Sequence, residues 1–150
     1  MAGSDSVRPH PTGTVTFLFT DIEGSTARWE SQPDDMARDV ADHDRMLDGA
    51  VADHGGIVFT TAGDSFSAAF SDPLDAVEAA TTVQRGLGER TWRTGPLRVR
   101  MGLHVGVAHE RDGDYFGPVV NRTARIMAAG HGGQILLSGA ATELVGPRIT

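Results

Sequence analysis

Apolar and polar positions alternate most regularly over Leu97–Val105. There Leu97, Val99, Met101, Leu103 and Val105 alternate with Arg98, Arg100, Gly102 and His104, the period of a strand with one buried face. Thr14–Thr20 alternates as well, with Val15, Phe17 and Phe19 on one side, but Leu18 makes the other side partly apolar, which suits a central strand. Two short strands, Ile57–Thr61 and Ser65–Phe70, flank Ala62-Gly63-Asp64 and read as a hairpin. A last strand is predicted at Ile135–Ser138.

Helical periodicity fills the intervals. A short helix runs from Ser25 to about Glu30, and Pro33 opens a longer one near 34–53, with Met36, Val40, Leu47 and Val51 on one stripe and the acids facing water. His54-Gly55-Gly56 ends it. Asp72-Pro73 supplies the N-cap and first residue of a third helix, whose apolar face is Val77, Ala80, Val83 and Leu87. Gly117-Pro118 opens a fourth to about Ala129, and 140–145 begins a fifth. Residues 109–114 read as an exposed turn or hairpin arm, and residues 1–13 as a flexible lead-in to a domain over 14–150. The order β-α-α-β-β-α-β-α-β predicts an α+β fold with a ferredoxin-like βαββαβ core: a mostly antiparallel sheet with helices packed on one face.

Composition narrows the chemistry. At 150 residues and 39% hydrophobic the chain is one ordinary globular domain, without an apolar run long enough to span a bilayer or a visible signal peptide. The expected location is cytoplasmic, with no membrane partner. A net charge of −7 argues against nucleic-acid binding. There is no cysteine, and all 13 basic residues are arginine. Thiolate chemistry, a Walker-type lysine and a Schiff base are therefore excluded, and cationic catalysis falls to arginine or metal ions.

Three segments carry candidate chemistry. In Thr16–Thr26 an apolar strand delivers Asp21 to its end, and Gly24-Ser25-Thr26 turns into a helix whose first amides form an anion site; the alternative is a plain helix cap. A second carboxylate, Asp64, lies in the hairpin turn, where Gly-Asp is also a common turn pair. If the strands pair side by side, Asp21 and Asp64 meet at one sheet edge and repel unless a divalent cation such as Mg²⁺ or Mn²⁺ neutralises them. In the third segment, 114–125, Asn121 and Arg125 share a helix face. They suit sugar orientation and phosphoryl-charge stabilisation, or simply form a solvated surface.

Taken together, Phe-Thr-Asp-Ile-Glu-Gly-Ser-Thr (19–26), Gly-Asp-Ser-Phe (63–66) and Asp-Tyr-Phe-Gly-Pro-Val-Val-Asn-Arg-Thr-Ala-Arg (114–125) resemble the class III nucleotidyl cyclase catalytic domain, actinobacterial type. The resemblance implies conversion of ATP to 3′,5′-cyclic AMP and pyrophosphate in a head-to-tail homodimer, often joined to regulatory domains in a longer chain. It implies that Asp21, Asp64 and the Ile22 carbonyl hold two Mg²⁺ or Mn²⁺ ions. The Glu23, Gly24, Ser25 and Thr26 backbone would hold the triphosphate. Asn121 would orient the ribose and Arg125 stabilise the transition state, both acting on the partner's metal site.

Two departures bear on this expectation. Asp114 matches the family's adenine-type Asp, but Thr60, four residues before Asp64, stands where the family has Lys. The family domain also continues further, into strands with a triphosphate-binding lysine, so the C-terminal part is expected to be short or missing. These departures keep open an inactive or weakly active cyclase-like module that binds nucleotide or dimerises. A polymerase-like palm would share the two carboxylates but gives no reason for the 114–125 motif. His104 and His109 read as structural or solvent-facing.

Overall fold

Strand β1 (Thr14–Ile22) carries apolar side chains on both faces, and the rest of the chain is arranged to cover them. The structure is a computed structural model that describes residues 9–148. After β1 come α1 (Ser25–Ser31), α2 (Pro33–Asp53), β2 (Ile57–Ala62), β3 (Ser65–Phe70), α3 (Pro73–Glu89) and β4 (Val99–Val107). A two-stranded arm, β5 (His109–Arg111) and β6 (Asp114–Phe116), precedes α4 (Pro118–Ala129), β7 (Ile135–Leu137) and α5 (Gly139–Val145). The main sheet has the order β2-β3-β1-β4-β7 and is antiparallel except for the β4–β7 pair. The mixed α+β, mostly antiparallel architecture is as the sequence predicts. The 1–13 lead-in falls outside the described residues over 1–8, while Pro11 accepts a hydrogen bond from Tyr115 Oη (2.6 Å).

One core lies under α2 and α3, where Leu18, Ile22, Phe66, Phe70, Met101 and Leu103 meet Met36, Leu47, Ala80 and Val83. A second lies on the opposite face: Val15, Phe17, Phe19 and Ala69 pack with Val119 and Tyr115, and against Ala124 and Met127 of α4. The expectation that helices pack on one face is therefore corrected, because β1 exposes two apolar faces and α4 covers the second.

Two glycines let α4 lie directly on β4. A Cβ at Gly102 would stand 2.5 Å from the Met127 backbone nitrogen, and one at Gly106 would stand 2.6 Å from Val119 Cγ2. We expect Gly102→Ala to destabilise the domain by about 2–3 kcal/mol, because backbone must move to admit the methyl. Gly106→Ala meets only a side chain and costs less. Denaturant midpoints at unchanged m-value check this, and equal midpoints for Gly102→Ala and wild type refute it.

A second correction concerns α2. Asp39 is fully buried and Asp42 nearly so, rather than facing water. The loop after α3 folds over them: Asp39 accepts from the Thr94 amide (2.9 Å), the Thr94 hydroxyl (2.8 Å) and the Arg93 amide (3.2 Å), while Asp42 pairs with Arg45, Arg90 and Arg93. Burial pushes the Asp39 carboxyl up, but its hydrogen bonds outweigh burial and hold it below the usual carboxylate range.

Candidate functional site

Strand β1 runs two residues beyond its sequence-predicted end, so Asp21 and Ile22 belong to the strand itself and inherit its rigidity. Asp64, at the β2–β3 turn, accepts a hydrogen bond from the Ile22 amide at 3.1 Å. The antiparallel β1–β3 register, with Thr20 opposite Phe66, carries the hairpin tip to the end of β1. Asp21, Ile22 and Asp64 are thus brought together, as the sequence led us to expect.

Sequence reasoning missed the cation already there. Arg100, directly opposite Asp21 in the β1–β4 register, donates through Nε to Asp21 Oδ1 (2.7 Å) and through Nη2 to Asp21 Oδ2 (2.5 Å). The bond to Asp21, then the charges of Asp21, Glu23 and Asp64, hold the guanidinium in its charged form. The only sequence signal was an arginine on the polar face of the clearest strand. Among the described residues no three His, Cys, Asp or Glu side chains cluster as a metal site. The candidate donors are instead two carboxylates and a backbone carbonyl. These hard oxygens fit a divalent cation that also carries phosphate oxygens, and Arg100 relieves their mutual repulsion.

The turn into α1 begins at Gly24, whose φ of 71° is the left-handed conformation glycine adopts freely. Of the four residues expected to cradle phosphate, Glu23 is already engaged. Its amide donates to the Arg98 carbonyl (2.8 Å), and its carboxylate accepts from the Gly132 amide (3.1 Å). Glu23 is a brace, and the Gly24, Ser25 and Thr26 amides stand at the open start of α1. Arg28 fastens that helix from behind, donating to the Thr94 hydroxyl and the Gly95 carbonyl (2.9 Å each) and to the Pro96 carbonyl. Through Thr94 this clamp reaches the buried Asp39.

Thr60 and Asp114 form a second group. The Thr60 hydroxyl donates to Asp114 Oδ1 at 3.5 Å, and the same oxygen accepts from the Tyr115 amide at 2.8 Å. Asn121 and Arg125 share the exposed side of α4, opposite the buried Val119 and Thr123. Neither side chain has a hydrogen bond or ion pair among the described residues, with Asp21 and Asp64 or with any other group. His104 is structural: it is buried beneath α4, with Nδ1 2.7 Å from Ser138 Oγ, and burial, then the charge of Arg122, pushes its pKa down. His109 is exposed. A cavity of about 490 Å³ beside Trp92 and Leu97 is lined by none of the sequence-predicted site residues and adjoins the Arg28 clamp through Gly95 and Pro96.

A family model described as the adenylate and guanylate cyclase catalytic domain matches residues 7–148. An uncharacterized protein of Mycobacterium tuberculosis is 44% identical over 149 residues, covering 98% of this chain and 50% of the relative. The chain thus spans about half that relative's length. A receptor-type adenylate cyclase of Trypanosoma congolense is 33% identical, covering 91% of this chain and 24% of that protein. Among solved structures, an adenylate cyclase of Trypanosoma brucei in its monomeric state superposes with a TM-score of 0.83 at 31% identity, covering 93% of this chain and 79% of that one.

Proposed function

The chain belongs to the adenylate and guanylate cyclase catalytic domain family, and on that premise we propose that it is an adenylyl cyclase, forming 3′,5′-cyclic AMP and pyrophosphate from ATP at composite sites in a head-to-tail homodimer. The observation that carries this reading is the meeting of Asp21 and Asp64 at the end of β1, where Asp64 accepts from the Ile22 amide at 3.1 Å. No helix among the described residues is long and apolar enough to cross a membrane.

In this reading Asp21, Asp64 and the Ile22 carbonyl would hold two Mg²⁺ or Mn²⁺ ions. When bound, the ions supply the Lewis acidity that activates the 3′-hydroxyl and stabilises the leaving pyrophosphate. The Gly24, Ser25 and Thr26 amides receive phosphate oxygens. Arg100, which pairs with Asp21, would be the arginine placed to offer its guanidinium to the polyphosphate in a chain without lysine. Asn121 of the partner subunit orients the ribose, and Arg125 of the partner subunit stabilises charge on the α-phosphoryl group. The 3′-oxygen bonds to the α-phosphorus as the bond to the α,β-bridging oxygen breaks, releasing pyrophosphate, and the 3′-hydroxyl proton passes to water. The exposed Asn121 and Arg125 side chains, unpaired among the described residues, are free to act on a second chain's carboxylates, which supports the composite-site reading.

Asp114 selects the base. Its carboxylate accepts from the exocyclic amine of adenine, whereas guanine would set O6, another acceptor, against it. A second reading, a nucleotide-binding or dimerising module with little turnover, is favoured by Thr60. That hydroxyl stands where the family has a lysine and already lies 3.5 Å from Asp114.

Product formation separates the two readings. We expect Mg²⁺- or Mn²⁺-dependent cyclic AMP from ATP, with GTP used about tenfold less well, the modest ratio reflecting the neutral Thr60. A folded dimer that makes no cyclic nucleotide from either substrate selects the second reading.

A further inference from the structure

The two residues facing the base are each next in sequence to a ring of one aromatic stack. In the β2–β3 register Val58 lies opposite Ala68 and Thr60 opposite Ser67, leaving Phe59 as an extra residue, a β-bulge. Strict alternation would send Phe59 and Thr60 to opposite faces. Instead Val58 packs into the core beneath α2 and α3, and Phe59 into the cluster on the α4 side. Thr60 turns to that same side, toward Asp114.

Phe59 meets Tyr115 edge-on at 4.8 Å between ring centroids, and Tyr115 meets Phe17 edge-on at 5.1 Å. Tyr115 is 3% exposed, and its hydroxyl donates to the Pro11 carbonyl at 2.6 Å. Burial, then the nearby Glu110 charge, pushes the phenol up to about 12, so it stays a donor. Its amide caps the Asp114 carboxylate at 2.8 Å.

We propose that the Phe59–Tyr115 stack is the positioning element for nucleobase selection, setting the spacing between Thr60 and Asp114 and tying it through Pro11 to the segment that leads into β1. This rests on the reading of the domain as a purine nucleotide cyclase. The magnitude is what singles out the stack. A threonine is too short to search for its partner, and at 3.5 Å its hydroxyl is at the outer limit of a hydrogen bond. A drift of a few tenths of an ångström between β2 and β6 abolishes the pair. Edge-to-face ring contacts at both adjacent residues resist that drift.

The test is steady-state kinetics on ATP and GTP for wild type, Phe59→Leu, Tyr115→Phe, Thr60→Ala and the Phe59→Leu/Thr60→Ala double variant, with melting temperatures alongside. Phe59→Leu is expected to raise KM for ATP about fivefold with kcat within about twofold, and to lower the ATP-over-GTP ratio of kcat/KM by a similar factor. Tyr115→Phe, which keeps the ring and loses the Pro11 bond, shifts the ratio the same way but less. The double variant is expected to be no less selective than Thr60→Ala alone, since both changes remove one interaction. If Phe59→Leu lowers the melting temperature but leaves the ATP-over-GTP ratio at the wild-type value, the stack is core packing only and the inference is overturned. Wild type turning over neither nucleotide would instead overturn the cyclase reading, and this inference with it.

Discussion

Asp21→Ala is expected to abolish cyclic nucleotide formation, by about 10³-fold or more, while the domain stays folded. The variant loses one of two carboxylates and also leaves the Arg100 guanidinium, now without its partner, beside Asp64. The cation site becomes a site for a cation that is already filled by one. Asp21→Asn, which keeps the shape and removes the charge, should fail almost as completely. The Asp21–Arg100 pair is partly exposed, so its loss costs about 1–2 kcal/mol, between the values for surface and buried pairs. Product assays beside thermal melts check this, and an Asp21→Ala protein retaining a tenth of wild-type turnover would remove Asp21 from the mechanism.

The second large effect is recovery by mixing. Arg125→Ala alone should lower turnover about 10²–10³-fold, the range for losing one charge-stabilising group. Co-refolded with Asp21→Ala, it should regain about a quarter of wild-type activity. Half of the dimers are then mixed, and each mixed dimer carries one site with both residues intact. If Asp21 and Arg125 act within one chain, the mixture gives no more than the two variants separately. That outcome excludes a head-to-tail arrangement of sites. The exposed Arg125 side chain, without a hydrogen bond or ion pair among the described residues, is the structural basis for expecting recovery.

What could be read in the sequence was whatever rests on local pattern. The alternation at 97–105, the Asp72-Pro73 cap and the Gly63-Asp64 turn became β4, the start of α3 and the hairpin tip, with Asp72 accepting from the Leu74 amide at 3.0 Å. The meeting of Asp21 and Asp64 at one sheet edge was legible because motif and strand pairing agree. What escaped depends on register and on long loops. Arg100 reaches Asp21 from 79 positions away, and only the β1–β4 register puts them opposite each other. Asp39 and Asp42 looked like surface acids because their partners, Arg90, Arg93 and Thr94, arrive from beyond α3. The Phe59 bulge has no glycine to mark it. The side covered by α4 was the most recoverable: Gly102 and Gly106, four apart on the polar face of β4, are the trace of a backbone that comes close.

That close approach governs how the proposed cyclase can be controlled. With Met127 and Val119 seated on bare glycine, α4 has no slack to slide or tilt against β4. Asn121 and Arg125 therefore move as one body with the sheet that holds Asp21 and Asp64. In the proposed dimer two such bodies leave a single adjustable quantity, their mutual placement. An input that shifts one against the other by an ångström changes the rate about 10²-fold without reshaping either. Control then acts as a rheostat on assembly geometry.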